Sequence, residues 1–238
     1  MNERTHTVSS YDAELGFLSN RIAEMGGYAE RMVDRAVTAL INSDHALSKQ
    51  VIAEDAILDS WHREIDDKSV LMIAKRQPMA RDLREIIGTM RIASDLERIG
   101  DLGKNIAKRT VAVSEVKQPV RLYRGLESLA EMAMVQLKEV LDTFANRRMD
   151  GIALLRDRDE EIDAKYTSLF RELLTYMMED PRNISACTHL LFCAKNIERI
   201  GDHVTNIAET IHYMETGEGL PAERPKDDKH NAITVSKI

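Results

Sequence analysis

The sequence predicts an all-α fold made of two tandem, pseudo-symmetric three-helix bundles, six long helices in all. Three observations lead there. Of 238 residues only 5% are aromatic, with 11 Gly and 5 Pro, too few strand and turn formers for a β architecture. Glu97-Arg98-Ile99-Gly100-Asp101 returns as Glu198-Arg199-Ile200-Gly201-Asp202, and Asn105-Ile106-Ala107 returns in step as Asn206-Ile207-Ala208, so the chain is an internal repeat. Ile92, Leu96, Ile99, Gly103 and Ile106 are spaced 4, 3, 4, 3, as are Cys193, Ile197, Ile200, Val204 and Ile207, which is the period of a bundle seam.

The elements follow from the breaks between them. A first helix over 11–42 ends at Asn42-Ser43-Asp44, whose polar side chains suit the cap of a second over 44–76. Gln77-Pro78 places a proline at the start of a third over 79–110. The short stretch 111–118, ending at Pro119, reads as a connector, and a fourth helix over 120–146 is interrupted by Arg147-Arg148-Met149-Asp150-Gly151. A fifth over 150–179 stops at Asp180-Pro181, and a sixth covers 182–214. The expected domains are thus 11–110 and 119–216, each near one hundred residues. A tail over 217–238 carries Pro221, Pro225 and a charged run.

A formal net charge of −7 argues against nucleic acid, which needs a concentrated basic face. Cys187 and Cys193 are the only cysteines and point apart on one helix, so reduced thiols in a cytosol are expected. Met1 to Ser10 is polar, without a secretory apolar region, and no run approaches the ~18 apolar residues of a membrane span. A soluble, cytoplasmic protein is the expectation.

The chemistry concentrates in acids. Glu97 and Asp101 share a helical face at i and i+4, as do Glu198 and Asp202, with Asn105 and Asn206 one turn further on. A second pair, Asp55 and Asp59, lies on the preceding helix, and Asp159 and Asp163 correspond to it in the second copy. The seam of Ile92, Ile99 and Ile106 lies nearly opposite, so these acids are expected to point away from the bundle core. Like charges at i and i+4 weaken a helix by a few tenths of a kcal/mol, roughly, and four converging carboxylates raise one another's pKa unless a cation intervenes. A hard metal ion would resolve this, and oxygen-only ligands favour Mg, Mn or ferric iron over structural zinc. A solvated acidic surface is the plainer alternative, weakened by the repetition. Arg98 and Arg199 point sideways and suit ion pairs with a neighbouring helix, and His203 reads as an exposed surface histidine. Trp61 and the 12 Met residues read as packing. Asp59 with His62, and Glu209 with His212, match the acid-x-x-His spacing of di-iron bundles but are not repeat partners. A Gly-rich phosphate loop, a nucleophile elbow and a Cys/His cluster are all missing from the sequence, which speaks against an enzyme.

The doubled Glu-Arg-Ile-Gly-Asp-x-x-x-Asn-Ile-Ala, the doubled Asp-x-x-x-Asp and the lead-in Gln77-Pro78-x-x-x-Asp82-Leu83-Arg84 make the chain resemble the PhoU family over roughly 11–216. The resemblance implies a negative regulator of phosphate uptake and of the phosphate-starvation response. Its partners would be membrane complexes, a Pst-type ABC phosphate transporter and a phosphate sensor histidine kinase, and a homodimer belongs to the same expectation. It further implies metal clusters, of iron, manganese, magnesium or zinc, held by Asp55, Asp59, Glu97 and Asp101 and by Asp159, Asp163, Glu198 and Asp202, with Asn105 and Asn206 as outer ligands. The second copy has Ala186-Cys187-Thr188 in place of Asp82-Leu83-Arg84, so any role of that lead-in is expected to stay within the first bundle. The competing reading is a dinuclear carboxylate enzyme of the ferritin-like oxidase type, whose ligands would project into a four-helix core. A structural module whose acidic face docks a basic partner is a third.

Overall fold

The computed structural model describes residues 9–113, 120–147 and 152–220. Among them are six α-helices: α1 (Ser9–Asn42), α2 (His45–Arg76), α3 (Ala80–Val113), α4 (Val120–Asn146), α5 (Ile152–Glu179) and α6 (Ile184–Thr216). The expected connector is helical up to Val113, and its remainder, with the tail beyond Leu220, lies outside the described residues.

Local chemistry sets the helix ends. Asp44 caps α2 by accepting from the Leu47 amide at 2.9 Å, and Ser43 before it takes the left-handed conformation that turns the chain. Gln77 closes α2 in the left-handed region, its amide bonding the Ile73 carbonyl at 3.1 Å. Proline does not open α3 directly: Pro78 stays in the turn and the helix starts at Ala80. Pro181 instead begins a 3-10 turn, Pro181–Asn183, capped by Asp180, which moves the start of α6 to Ile184. Gly217, with φ 79°, ends α6.

The heptad seams are longer than the sequence motif alone suggests. In α1, Leu15, Leu18, Ile22, Met25, Ala29, Met32, Ala36 and Ala39 are all buried at alternating spacings of 3 and 4. In α6, Leu190, Cys193, Ile197, Ile200, Val204, Ile207, Ile211 and Met214 repeat the pattern. Within each repeat the three helices pack on one another, and the repeats meet along α3 with α6 and α1 with α4. Arg109 faces His189, Asp95 faces His203 and Gly88 faces Met214, so α3 and α6 run antiparallel. The result is a central layer of α1, α3, α4 and α6 with α2 and α5 outside it, and both halves feed one continuous apolar core. Trp61 and the buried Met25 and Met32 serve as packing, Trp61 edge-on to Tyr28 with ring centroids 5.3 Å apart.

The Asp82-Leu83-Arg84 lead-in is not confined to the first repeat. Arg84 packs against the Gly217 turn that ends α6, and nearby Arg81 bonds Glu215 at 2.6 Å. Arg147, just past α4, reaches back to the buried Glu85 of α3 at 2.7 Å. The antiparallel α3/α6 contact places the start of α3 beside the end of α6, a relation that spacing within one repeat cannot reveal.

Ile99 and Ile200 are fully buried in equivalent positions. Truncating either to Ala removes most of a seam side chain, and Ile99→Ala or Ile200→Ala is expected to cost about 2–5 kcal/mol, read by urea denaturation. Equal losses at the two positions would follow from their equivalence.

Candidate functional site

The acidic sites are built around two glycines. A Cβ on Gly100 would collide with Leu58 Cδ1, and a Cβ on Gly201 would stand 3.3 Å from Ile162 Cδ1 and 3.1 Å from Asp159 Oδ1. Leu58 and Ile162 each lie within the Asp-x-x-x-Asp pair of their helix, and each glycine lies within its Glu-x-x-x-Asp pair. Close approach of α2 to α3, and of α5 to α6, therefore brings the two pairs of each repeat together.

In the first repeat Asp55 is buried, while Asp59, Glu97 and Asp101 are half-buried. The acids lie off the apolar seam, yet not all of them stand in open solvent. A helical wheel places a residue relative to its own seam, but α2 covers the second face of α3 beside Gly100. Burial pushes the Asp55 carboxyl above the ordinary aspartate range against the pull of Lys104, and Asp101 and Asp59 push the same way. Burial also raises Glu97, and Asp101 and Asp59 add to it. All four acids of the first repeat thus feel one another.

A cation already stands among them. Lys104 Nζ donates to Asp101 Oδ1 at 2.7 Å and to Asp55 Oδ2. Burial works against the ammonium, but its hydrogen bonds to Asp101 and Asp55 outweigh that and hold its pKa above the ordinary lysine value. Arg98 does not pair with a neighbouring helix as expected. It turns along α3, 3.5 Å from Glu97 and 3.4 Å from Asp101, because the nearest acids are on its own helix. Arg199 is exposed.

The second repeat is related but not identical. Glu198 is buried, Asp159 is half-buried, and Asp163 and Asp202 are exposed. Lys195 Nζ donates to Glu198 Oε1 at 2.6 Å, whereas Glu198 Oε2 is buried with no hydrogen-bond partner among the described residues. Burial raises the Glu198 carboxyl, Lys195 opposes it, and Asp202 and Asp163 reinforce it. Lys104 and Lys195 are not repeat equivalents: one follows its Asp by three residues, the other precedes its Glu by three. Sequence reasoning missed both, although their i,i+3 spacing to Asp101 and Glu198 was the available signal.

Among the described residues no three His, Cys, Asp or Glu side chains close around a common point as they stand. The donors nonetheless suit a hard cation: four carboxylates per repeat, at least one of them desolvated in each, with an oxygen on Glu198 that has no partner among the described residues. Asn105 lines a groove between α3 and α6, and Asn206 Nδ2 lies 3.5 Å from Asp95 Oδ1. His203 is not a free surface histidine. Its Nδ1 is 2.9 Å from Asp95 Oδ1 across the repeat boundary, because the antiparallel α3 covers it. His62 stands 3.5 Å from Asp66.

The PhoU domain family matches residues 22–110 and 126–211. The "Phosphate-specific transport system accessory protein PhoU homolog" of Rhizobium meliloti (strain 1021) is 66% identical over 228 residues, 96% of each chain. A protein of the same description from Caulobacter vibrioides is 47% identical over 94% of this chain and 97% of its own. Two crystal structures share the fold. PhoU from Pseudomonas aeruginosa matches with a TM-score of 0.84 at 38% identity, covering 87% of this chain and 100% of that one. The phosphate transport system regulatory protein PhoU from Streptococcus pneumoniae matches with a TM-score of 0.81 at 26% identity, covering 89% and 99%.

The raised Glu198 carboxyl has a measurable consequence in metal-free buffer. The folded chain holds that proton more tightly than the unfolded chain, whose ordinary value is 4.5. Its contribution to stability is therefore complete below the unfolded pKa and is lost as pH rises through the folded one. Glu198→Gln removes the titration, so its melting temperature relative to wild type should rise between about pH 5 and about pH 8 with chelator present. A constant difference across that range would show that Glu198 is not desolvated.

Proposed function

The chain belongs to the PhoU family, and on that premise we propose that it is a negative regulator of phosphate uptake and of the phosphate-starvation response. In this reading it is a cytoplasmic, metal-binding adaptor between a Pst-type ABC phosphate transporter and a sensor histidine kinase. The observation that carries the transport role is the 66% identity to a phosphate-specific transport system accessory protein over nearly the whole chain. Among the described residues no helix is long and apolar enough to cross a membrane, so work at a membrane would be done beside partners that span it.

The metal reading rests on the two acidic niches. Asp55, Asp59, Glu97 and Asp101 would hold one site, and Asp159, Asp163, Glu198 and Asp202 the other. A bound cation would supply positive charge to carboxylates that burial leaves uncomfortable, and would invert the sign of the surface that a partner meets. Lys104 and Lys195 hold part of that role now, and each has a flexible stem that can swing outward. Glu198 Oε2, buried without a partner among the described residues, is the oxygen most in need of such an ion.

An adaptor acts by binding, shifting partners between conformations through differential affinity. The ferritin-like oxidase reading is less well supported. It needs acids aimed into a four-helix core, whereas the four central helices here present an apolar seam and the acids lie where α2 and α5 lean on that layer.

In a strain lacking the gene, a phosphate-starvation reporter should stay on at high phosphate, and the wild-type chain should restore repression. Normal repression in the deletion strain would remove the regulatory role. The Glu97→Ala, Asp101→Ala chain, confirmed folded and assayed for metal by ICP-MS, should carry less metal and fail to restore repression. Full rescue would detach the metal from signalling.

A further inference from the structure

Where α3 ends and α6 begins, the two helices leave an open groove of about 410 Å³. That is within the roughly 300–1,000 Å³ of small-molecule sites. Its polar lining is made of donors: Lys108 and Arg109 from α3, His189 from α6, and the amides of Asn105 and Asn196. Phe192, half-exposed, supplies the apolar wall. Among the described residues no carboxylate lines the groove, and neither Lys108 nor Arg109 is in an ion pair.

Arg109 is held in place rather than loose. Its guanidinium lies over the Phe192 ring, 4.4 Å from the centroid, and Nη1 lies 3.1 Å from His189 Nδ1. A guanidinium only donates, so Nδ1 accepts and the imidazole proton sits on Nε2. Burial first, and then Arg109, hold His189 below its ordinary pKa, so the ring is neutral at pH 7 and Nε2–H is a donor. Guanidinium, ammonium and imidazole N–H thus share one opening.

The repeat sharpens the point. The residues equivalent to Lys108, Arg109, His189 and Asn196 are Glu209, Thr210, Gly88 and Asp95. The pseudo-symmetric side of the α3/α6 contact therefore has neither cation at the positions of Lys108 and Arg109 and carries acids at two of these four, with Arg91 where this side has Phe192. In a chain of net charge −7, two cations in a groove whose described lining holds no acid are not explained by ion pairing.

We propose that this groove binds a small organic anion bearing a phosphate, its phosphate on Arg109 and Lys108 and its flat or apolar portion against Phe192. Planar, multi-donor recognition of phosphate is what a fixed guanidinium does well. The volume exceeds what an isolated phosphate needs, and the exposed ring offers a surface for a base or similar group. The assignment goes beyond the adaptor reading and does not depend on metal in the acidic niches.

Isothermal titration of the full-length protein with AMP, inorganic phosphate and adenosine tests it. AMP should bind saturably, and phosphate and adenosine each at least about tenfold more weakly. Arg109→Gln should weaken AMP by about tenfold or more, with the melting temperature near wild type. Lys108→Gln, at an exposed position, gives a second test that does not risk the fold. Absence of saturable AMP binding, equal AMP affinity in wild type and both variants, or phosphate or adenosine binding as tightly as AMP would each overturn the proposal.

Discussion

The structure turns on the contact of α2 with α3 at Gly100 and of α5 with α6 at Gly201. Leu58 occupies the space a Cβ on Gly100 would fill, and Asp159 and Ile162 crowd the same place at Gly201. On α3 the position belongs to a stripe of small residues, Ala93, Gly100 and Ala107, and α6 repeats it as Ala194, Gly201 and Ala208. Small residues every seventh place let the outer helix settle deeply onto the inner one. That depth takes the flanking carboxylates partly out of water, and desolvation then dominates their electrostatics. The motif is therefore a packing motif and an acid motif at once.

From the same constraint follows the need for a cation. Buried or half-buried carboxylates that sense one another must be neutralised by protonation, by lysine or by metal. Here Lys104 bridges two acids in the first repeat and Lys195 meets one in the second, leaving Glu198 Oε2 without a partner among the described residues. The repeats share a backbone plan but differ in the charge placed upon it. The α3/α6 boundary shows the same economy: His203 and Asp95 join across one part of it, and Arg109, His189 and Phe192 open a donor-lined groove at another.

Much of this was legible in the sequence for a physical reason. A heptad period and a repeated motif are local patterns, so the helices, their pairing within a repeat and the juxtaposition of the two acid pairs followed from spacing alone. What depends on contact between repeats was not legible. The Asp95 partner of His203 and the reach of Arg81 and Arg84 to the end of α6 need the packing directions of helices far apart in sequence, and burial of Asp55 and Glu198 needs the depth to which α2 and α5 settle beside Gly100 and Gly201. The proline turns misled by one or two residues because Pro78 and Pro181 stand before α3 and α6 rather than in their first turns. The lysines were within reach of i,i+3 arithmetic but only matter once the acids are known to be desolvated.

The central claim is that the desolvated acids beside Gly100 and Gly201 require a cation, whichever supplies it. The most direct measurement is the thermal midpoint of the Lys104→Met, Lys195→Met chain at neutral pH, first with chelator and then with added Mn²⁺. The account predicts a midpoint below wild type in chelator and recovery toward or beyond it with the ion, since the metal binds the folded acids in place of the lost ammonium groups. A variant as stable as wild type in chelator and indifferent to Mn²⁺ would show that the acids are solvated and carry no such demand.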